Sequence, residues 1–411
     1  MDLLGVRVFV APATTVAALG AVLAGVALGT LSGLTPGLHA NNFALLLAAA
    51  ASSIPGPPEL VGVAMLSAGV VHTFLDVVPA LALGVPDAAM AAVALPGHRL
   101  VLAGRGREAL RLSAFGSGLA VVLAVPLALP ITAAMTRYYP TIRSHLPVLL
   151  AAVAMYLVAT ERSRRAKLGG LLSFLASAGL GLATLDLAPT APVHAGGILT
   201  PLFGGLFGAP VLLDAIRGAG VPPQDDARVA VGRRTVLVTA LSGAVAGAIV
   251  GYVPGVSSAI AAAIVLSLLP AGGSRGFVVA TSGVNTANSI FALFALVALG
   301  TPRTGVLVAL DAAAVPLNLP LLLGGVALAS AVGVVLVPVL GDRYLSLAGR
   351  VDYAWLSLGL LAGLAGLSYL FAGPKGVVVF LVASALGWLP PRFGARRVHL
   401  MGVLMGPLIL G

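Results

Sequence analysis

The chain contains no cysteine, and only 9% of its 411 residues are charged. The absence of thiols excludes disulfide bonds, thiolate nucleophiles and cysteine-based metal sites. The scarcity of charge excludes an ordinary soluble domain, in which about a quarter of the residues are charged. Aromatic residues are also few, at 5%, and no strip of basic and aromatic residues indicates a nucleic-acid-binding surface.

Long apolar runs take the place of the missing charge, since 59% of the residues are hydrophobic. Several uncharged runs exceed the ~20 residues that a helix needs to cross a bilayer. The sequence therefore predicts an all-α, multi-pass protein of the cell membrane with about 10–12 membrane segments. The runs are Val8–Pro58, Leu112–Thr136, Leu187–Leu213, Thr235–Ser274, Gly276–Pro302 and Ala312–Gly341.

Arginine-rich loops indicate how the chain is oriented. Basic residues cluster between Arg99 and Arg111, between Arg162 and Lys167, and between Arg217 and Arg234. Two predicted spans separate each cluster from the next, so all three can lie on one side of the membrane. The positive-inside rule makes that side cytoplasmic, and it also accounts for the net charge of +10.

The sequence contains an internal duplication. "GVALGTLSGLTPG" (25–37) aligns without a gap on "GAVAGAIVGYVPG" (243–255), and "ALGVP" (82–86) is matched by "ALGTP" (298–302). We therefore divide the chain into a first repeat (1–111), a middle section (112–234), a second repeat (235–340) and C-terminal membrane helices (341–411). If each repeat crosses the membrane an odd number of times, the two are inverted, as in many secondary transporters.

Each repeat contains a Pro-Gly pair that predicts a broken or re-entrant helix at membrane depth. Freed backbone groups are tolerated there only beside protein or a water-filled cavity, and a helix that starts after the break directs its positive end towards an anion. The alternative is that the prolines only kink continuous helices. The glycine runs themselves are typical of close helix packing. The candidate anion-binding residues are Pro36, Gly37, His39, Asn41, Asn42, Pro254, Gly255, Ser257 and Ser258.

A second polar group precedes the "ALGVP" and "ALGTP" segments. His72, Thr73 and Asp76 lie within about one helical turn of each other, and an intramembrane aspartate typically marks an ion or substrate path. We assign these three residues to coupling with H⁺ or Na⁺; alternatively, Asp76 caps a helix or pairs with His72. In the second repeat Arg303 can bind an anionic group or extend to the interface. The polar cluster of the second repeat that matches His72, Thr73 and Asp76 consists of Asn285, Thr286, Asn288 and Ser289. We add Asn285, Asn288 and Arg303 to the candidate substrate site.

These motifs resemble those of the TctA family, the large membrane subunit of tripartite tricarboxylate transporters. In that family a "G…PG" break opens each half, and "PG…GR…G.AL" is similar to "LPGHRLVLAGRGREALRLSAFGSG" (95–118). The Asn-rich segment before "LGIP" is similar to "NTANSIFALFALVALGTP" (285–302). The resemblance implies a permease for di- or tricarboxylates, with a small membrane subunit and a solute-binding protein as partners.

A weaker resemblance indicates a different substrate. "PGVSSAIAAAIVL" (254–266) is similar to the "PGVSGGT" break of polyprenyl-phosphate translocases, which implies a lipid phosphate as the transported anion. We therefore expect a transporter of an anionic substrate, with a polyprenyl-phosphate flippase as the alternative. An intramembrane hydrolase or a channel has less support, since the six histidines are scattered and no metal-ligand spacing or catalytic set is present.

Overall fold

A computed structural model describes residues 2–3, 6–7, 12–36, 38, 43–44, 47, 56–84, 94–188, 190–192, 197–216, 220–225, 228–268 and 272–411. Two short strands, Asp2–Leu3 (β1) and Val6–Arg7 (β2), pair antiparallel at the N-terminus. The other regular elements in the described part are helical. The prediction of an all-α membrane protein is therefore confirmed at the level of fold class.

The helices are numbered in chain order. They are α1 (Pro12–Leu34), α2 (Pro58–Leu75), α3 (Val77–Leu83), α4 (Ala94–Leu102), α5 (Gly106–Ser144), α6 (Leu146–Ala159), α7 (Arg164–Thr184), α8 (Leu199–Phe203), α9 (Ala209–Ala215), α10 (Arg233–Tyr252), α11 (Ser258–Leu268), α12 (Gly273–Leu299), α13 (Gly305–Ala312), α14 (Leu319–Ala348), α15 (Tyr353–Gly387), α16 (Leu389–Phe393) and α17 (Gly402–Leu410). A π-helical turn, Gly204–Gly208, joins α8 to α9, and a 3₁₀ turn, Arg397–Met401, precedes α17.

Within the described residues, eight helical segments are long and apolar enough to cross a membrane. Four shorter apolar helical segments accompany them: 146–159, 199–215, 258–268 and 397–410. The chain is thus a multi-pass membrane protein, as the sequence predicts. The expectation of about 10–12 membrane segments stays a prediction, because helix length and composition alone do not fix the crossings.

The last long segment contains two helical arms rather than one. Gly373, with φ 66° and ψ −159°, interrupts α15 and is followed by Pro374. A Cβ at Gly376 would collide with the carbonyl oxygen of Ser368, eight residues earlier. In a continuous helix these residues would lie about 12 Å apart. The chain therefore reverses direction at Gly373.

Glycines bring the first two long helices into backbone contact. A Cβ at Gly25 would collide with the carbonyl oxygen of Ala64, and one at Gly29 would collide with that of Ala68. Only a residue without a side chain permits α1 to approach α2 this closely. The structure confirms that this glycine run is a close-packing face.

The second repeat reproduces the same helix pair. Gly243 faces the carbonyl oxygen of Ala280, and Gly247 faces that of Val284. Each glycine lies 218 residues beyond its counterpart on α1, and each carbonyl lies 216 residues beyond its counterpart on α2. The packing of α10 on α12 is therefore equivalent to the packing of α1 on α2, contact for contact.

In both repeats a helix ends just before the Pro-Gly pair. The first helix ends at Leu34, before Pro36, and α10 ends at Tyr252, before Pro254. Both repeats also end a helix with a left-handed glycine: Gly84 (φ 69°) after α3 and Gly300 (φ 61°) after α12. Glycine adopts this conformation at no steric cost, which makes it the usual residue just past a helix end.

Two later helices pack across the repeats and are called the exchanged helices: α5, which begins at the end of the first repeat and continues into the middle section, and α14, which begins in the second repeat. Gly116 of α5 lies against the backbone at Val279 of α12, whereas Gly325 of α14 lies against Val63 of α2. Val279 is 216 residues beyond Val63, so the two contacts are equivalent. The contact of α5 with α12 therefore corresponds to the contact of α14 with α2, and the inverted arrangement of the repeats stays a prediction.

The exchanged helices run antiparallel to each other. Gly106, at the start of α5, lies beside Leu345 near the end of α14, and Gly118 lies beside Val334. Arg107 Nε also pairs with Asp342 Oδ1 at 2.5 Å. As the residue number rises along α5, its neighbour's number falls along α14.

The glycine packing gives a direct stability test. Gly29→Ala should lower the thermal stability of the purified protein, because overpacking of this kind costs about 1–3 kcal/mol. Gly20→Ala is the matched control on the same helix, since no atom lies within 4 Å of a Cβ built there. Alanine favours a helix over glycine by up to ~1 kcal/mol, so the control should be neutral or slightly stabilising. Equal effects of the two substitutions would contradict the packing.

Candidate functional site

A cavity of about 390 Å³ lies where the two repeats meet. Polar side chains from α2, α12 and the two helix breaks of the second repeat share it with apolar side chains from the middle and C-terminal sections. Its polar lining residues are Thr73, Asp76, Ser257, Ser258, Asn285, Asn288, Ser289, Arg303 and Thr304. The sequence predicted most of these residues as site residues, and the fold brings them together.

Two helices begin at this cavity. After the break at Pro254 and Gly255, α11 starts at Ser258, and the Ser257 hydroxyl accepts a hydrogen bond from the Ile260 amide at 3.3 Å. The other helix, α13, starts at Gly305, directly after the "TPRT" segment (301–304). Residues at both starts line the cavity. The aligned backbone amide groups and the helix dipole make each start electropositive.

Arg303 lies between these two helix starts in sequence and lines the same cavity. One guanidinium nitrogen, Nη2, donates to the Tyr139 hydroxyl, and the guanidinium carbon lies 5.2 Å from the centre of the Tyr139 ring. Its Nε atom is buried without a hydrogen-bond partner. No carboxylate among the described residues pairs with it. A half-buried cation without a carboxylate partner is costly unless an anion compensates it, so Arg303 stays the candidate anion-binding residue that the sequence predicts.

Asp76 and Asn285 connect the polar groups of the two repeats. The Asn285 amide donates to Asp76 Oδ2 at 2.7 Å and to the Thr73 carbonyl oxygen at 3.4 Å. Asp76 is only 4% exposed, and its side chain makes no capping hydrogen bond to α3. The carboxylate therefore belongs to the cavity rather than to a helix cap.

His72, unlike Thr73 and Asp76, is not among the residues that line the cavity. It is fully buried, and its Nδ1 atom is 2.9 Å from the Ser32 hydroxyl, which itself donates to the Gly29 carbonyl. Its ring stacks on Phe43 with centroids 5.9 Å apart. Successive residues of a helix point about 100° apart, so Thr73 reaches the cavity while His72 contacts α1. The coupling roles of all three residues stay predictions.

Most of the predicted anion-binding residues of the first repeat lie outside the part of the chain that the structure describes. Gly37, His39, Asn41 and Asn42 lie outside the described residues. Pro36 occupies the turn after α1 and is not among the described residues that line the cavity. The helix-start geometry is therefore described for the second repeat.

Sequence reasoning missed two buried glutamates that hold the helices in place. Glu108, fully buried, accepts hydrogen bonds from Arg105 Nε at 2.6 Å, Arg275 Nε at 2.8 Å and the Ala230 amide at 2.7 Å. It joins the starts of α5 and α12 to the loop before α10. Glu108 is the one acidic residue in the basic segment "GRGREALR" (104–111), and this isolation is the sequence feature that indicates a buried ion pair.

The second glutamate fixes the C-terminal segment that forms one cavity wall. Glu161 Oε1 accepts from Arg396 Nε and from His399 Nε2, both at 2.8 Å. Met401 and Leu404, which follow this anchor directly, line the cavity. Burial favours the neutral carboxyl, but the hydrogen bonds from His399 and Arg396 outweigh it and lower the pKa of Glu161 from 4.5 to about 2.

The Glu161 anchor predicts a pH-dependent stability. Because its folded pKa lies below the unfolded value, the carboxylate stabilises the fold above about pH 4.5 and loses this effect as the pH falls towards about 2. Glu161→Gln should therefore lower the melting temperature strongly at neutral pH and much less near about pH 3. Asp186→Asn, at an exposed carboxyl, is the control. A Glu161→Gln defect that is the same at both pH values would contradict this role.

The helical fold and its polar cavity define a multi-pass membrane protein of the permease type. The model of the tripartite tricarboxylate transporter TctA family matches residues 19–402, and the chain belongs to that family. The resemblance found in the sequence is thus confirmed. The chain is also 27% identical over 406 residues to an uncharacterized protein, MJ1079, of Methanocaldococcus jannaschii, covering 95% of this chain and 97% of that protein. No solved structure matches.

The cavity can be tested for access to water with single cysteines, since the chain has none of its own. Ser289→Cys should react with a small, charged thiol reagent, because Ser289 lines the cavity. Ser368→Cys should not react, because Ser368 is fully buried between helices. Mass spectrometry of the purified protein measures both. If Ser289→Cys reacts with the reagent no more than Ser368→Cys does, the cavity is closed to solutes.

Proposed function

We propose that this protein is a secondary transporter that moves an organic anion of the carboxylate class across the cell membrane. The observation that carries the proposal is Arg303, a half-buried guanidinium with no carboxylate partner among the described residues. It lines a cavity at which α11 and α13 both begin. A transporter site must compensate the charge of its substrate, and this one compensates negative charge.

The anion would be held by Arg303 and by the amide groups at the two helix starts. Hydrogen bonds to charged groups contribute about 1.5–3 kcal/mol each, more than neutral ones. The neutral donors and acceptors nearby, Ser258, Asn285 and Asn288, would fix the orientation of the substrate. Asn288 Oδ1 is buried without a partner, so it is available as an acceptor for a ligand hydroxyl.

Alternating access would come from two inverted repeats. The equivalent packing of α1 on α2 and of α10 on α12 supports a duplication, and the reciprocal contacts of α5 and α14 support a two-fold relation between the copies. Because these exchanged helices run antiparallel, we propose that the two-fold axis lies in the membrane plane, so that the repeats have opposite orientation. Rocking of one repeat against the other would then open the cavity to each side in turn.

Coupling to an ion would involve Asp76. Its carboxylate is buried, lines the cavity and hydrogen-bonds the second repeat through Asn285. A proton or Na⁺ bound there would change the link between the repeats, as coupling requires. Thr73 would assist from the next turn, whereas His72 would act through the contact of α2 with α1.

Family membership supports the transporter assignment over an enzyme, because TctA is a transporter family. By the same membership we propose a solute-binding protein and a small membrane subunit as partners. A flippase of polyprenyl phosphate is the second candidate, and one observation favours it: Arg303 is the single lysine or arginine among the described lining residues, many of which are apolar. The lateral entry that such a lipid needs stays a hypothesis.

Replacing Arg303 tests the proposal. A panel of mono-, di- and tricarboxylates should include at least one that raises the melting temperature of the purified protein. Arg303→Gln should weaken this binding by about tenfold or more, because it removes a charge-assisted hydrogen bond. Arg350→Gln, at an exposed position, should leave binding unchanged. Equal affinity in all three proteins would place the anion elsewhere.

A further inference from the structure

The lining of the cavity also restricts the chemistry of the anion. Arg303 is the single lysine or arginine among the described lining residues. In the sequence, residues 8–58 contain no charged residue and residues 85–93 contain only Asp87. The described lining therefore offers one permanent positive charge, and it also contains Asp76.

Part of the cavity lining is apolar, and four of its apolar side chains come from outside the two repeats. Leu199 and Phe203 belong to the middle section, and Met401 and Leu404 belong to the C-terminal segment held by Glu161. Leu66 and Val70 of α2 continue the same lining. We call the four side chains from outside the repeats the apolar wall, whereas the polar lining residues all come from the repeats.

We infer that the substrate has one anionic group joined to an apolar body, rather than several carboxylates. This inference rests on the proposed function and specifies its substrate. One carboxylate or phosphate monoester matches Arg303 and the helix starts, and an aliphatic or aromatic body matches the apolar wall. A second or third carboxylate would lie against that wall without a cation, and burying an unpaired charge is costly.

A homologous series of probes tests the inference. Acetate, butyrate and hexanoate carry the same charge and differ only in methylene groups. If their chains contact the apolar wall, affinity for the purified protein should rise about fourfold per added methylene. Citrate should compete no better than acetate. Binding that also occurs in Arg303→Gln is partitioning into detergent, and it is subtracted from the wild-type signal.

The outcomes separate this inference from the proposed function. Affinity that rises with chain length and requires Arg303 supports both. Citrate binding that is tighter than hexanoate binding and requires Arg303 would overturn the apolar-body inference and leave the transporter proposal intact. Absence of Arg303-dependent binding by every probe would overturn both.

A matched pair of variants tests the wall itself. Leu404 lines the cavity, whereas Leu410, at the end of the same helix, is 71% exposed. Leu404→Ser should weaken hexanoate binding about tenfold, as expected for the loss of part of a buried leucine contact, and should leave acetate binding unchanged. Leu410→Ser should change neither. An equal loss of acetate and hexanoate binding in Leu404→Ser would contradict the assignment of the wall.

The same chemistry occurs in soluble acids and in lipids, and a further probe distinguishes these sources. Farnesyl phosphate combines one phosphate monoester with a long isoprenoid chain. Arg303-dependent binding at least tenfold tighter than that of hexanoate would identify a lipid substrate that enters from the bilayer. Weaker binding than that of hexanoate would identify a water-soluble acid whose body fits inside about 390 Å³.

Discussion

A helix that ends inside a membrane must find polar partners for its free backbone groups, and the proposed site depends on that constraint. In the second repeat, two helix ends share one cavity, around the break at Pro254 and the segment at Arg303. Glycine packing of α1 on α2 and of α10 on α12 supplies the rigid frame that holds them. Buried Glu108 fixes the start of α12, and buried Glu161 fixes the C-terminal segment beside the cavity.

The cavity is asymmetric although the repeats are related. Arg303 has no basic counterpart in the first repeat, where Asp87 follows the equivalent proline. The four side chains of the apolar wall come from outside the two repeats. A duplicated frame therefore provides the breaks and their dipoles, whereas unique residues provide the charge and the apolar surface. Substrate choice would depend on these unique residues.

Local chemistry explains which features could be predicted from the sequence. Pro254, Gly255 and Gly300 impose breaks and left-handed caps on any neighbouring structure, so their positions were predictable. Polar residues such as Asn285 are rare enough in a membrane helix to mark the site. Leu404 and Leu410 look alike in an apolar sequence, and only packing shows which one faces the cavity. Glu108 was missed because charged loop residues usually face solvent.

A structure determined with a bound probe tests the central claim most directly. With hexanoate present, the account predicts density for the carboxylate within hydrogen-bond distance of Arg303 and of the amide groups at the starts of α11 and α13. The aliphatic chain should extend towards Phe203 and Leu404. An empty site in which Arg303 pairs with a carboxylate of the protein itself, with the probe bound elsewhere, would contradict the account.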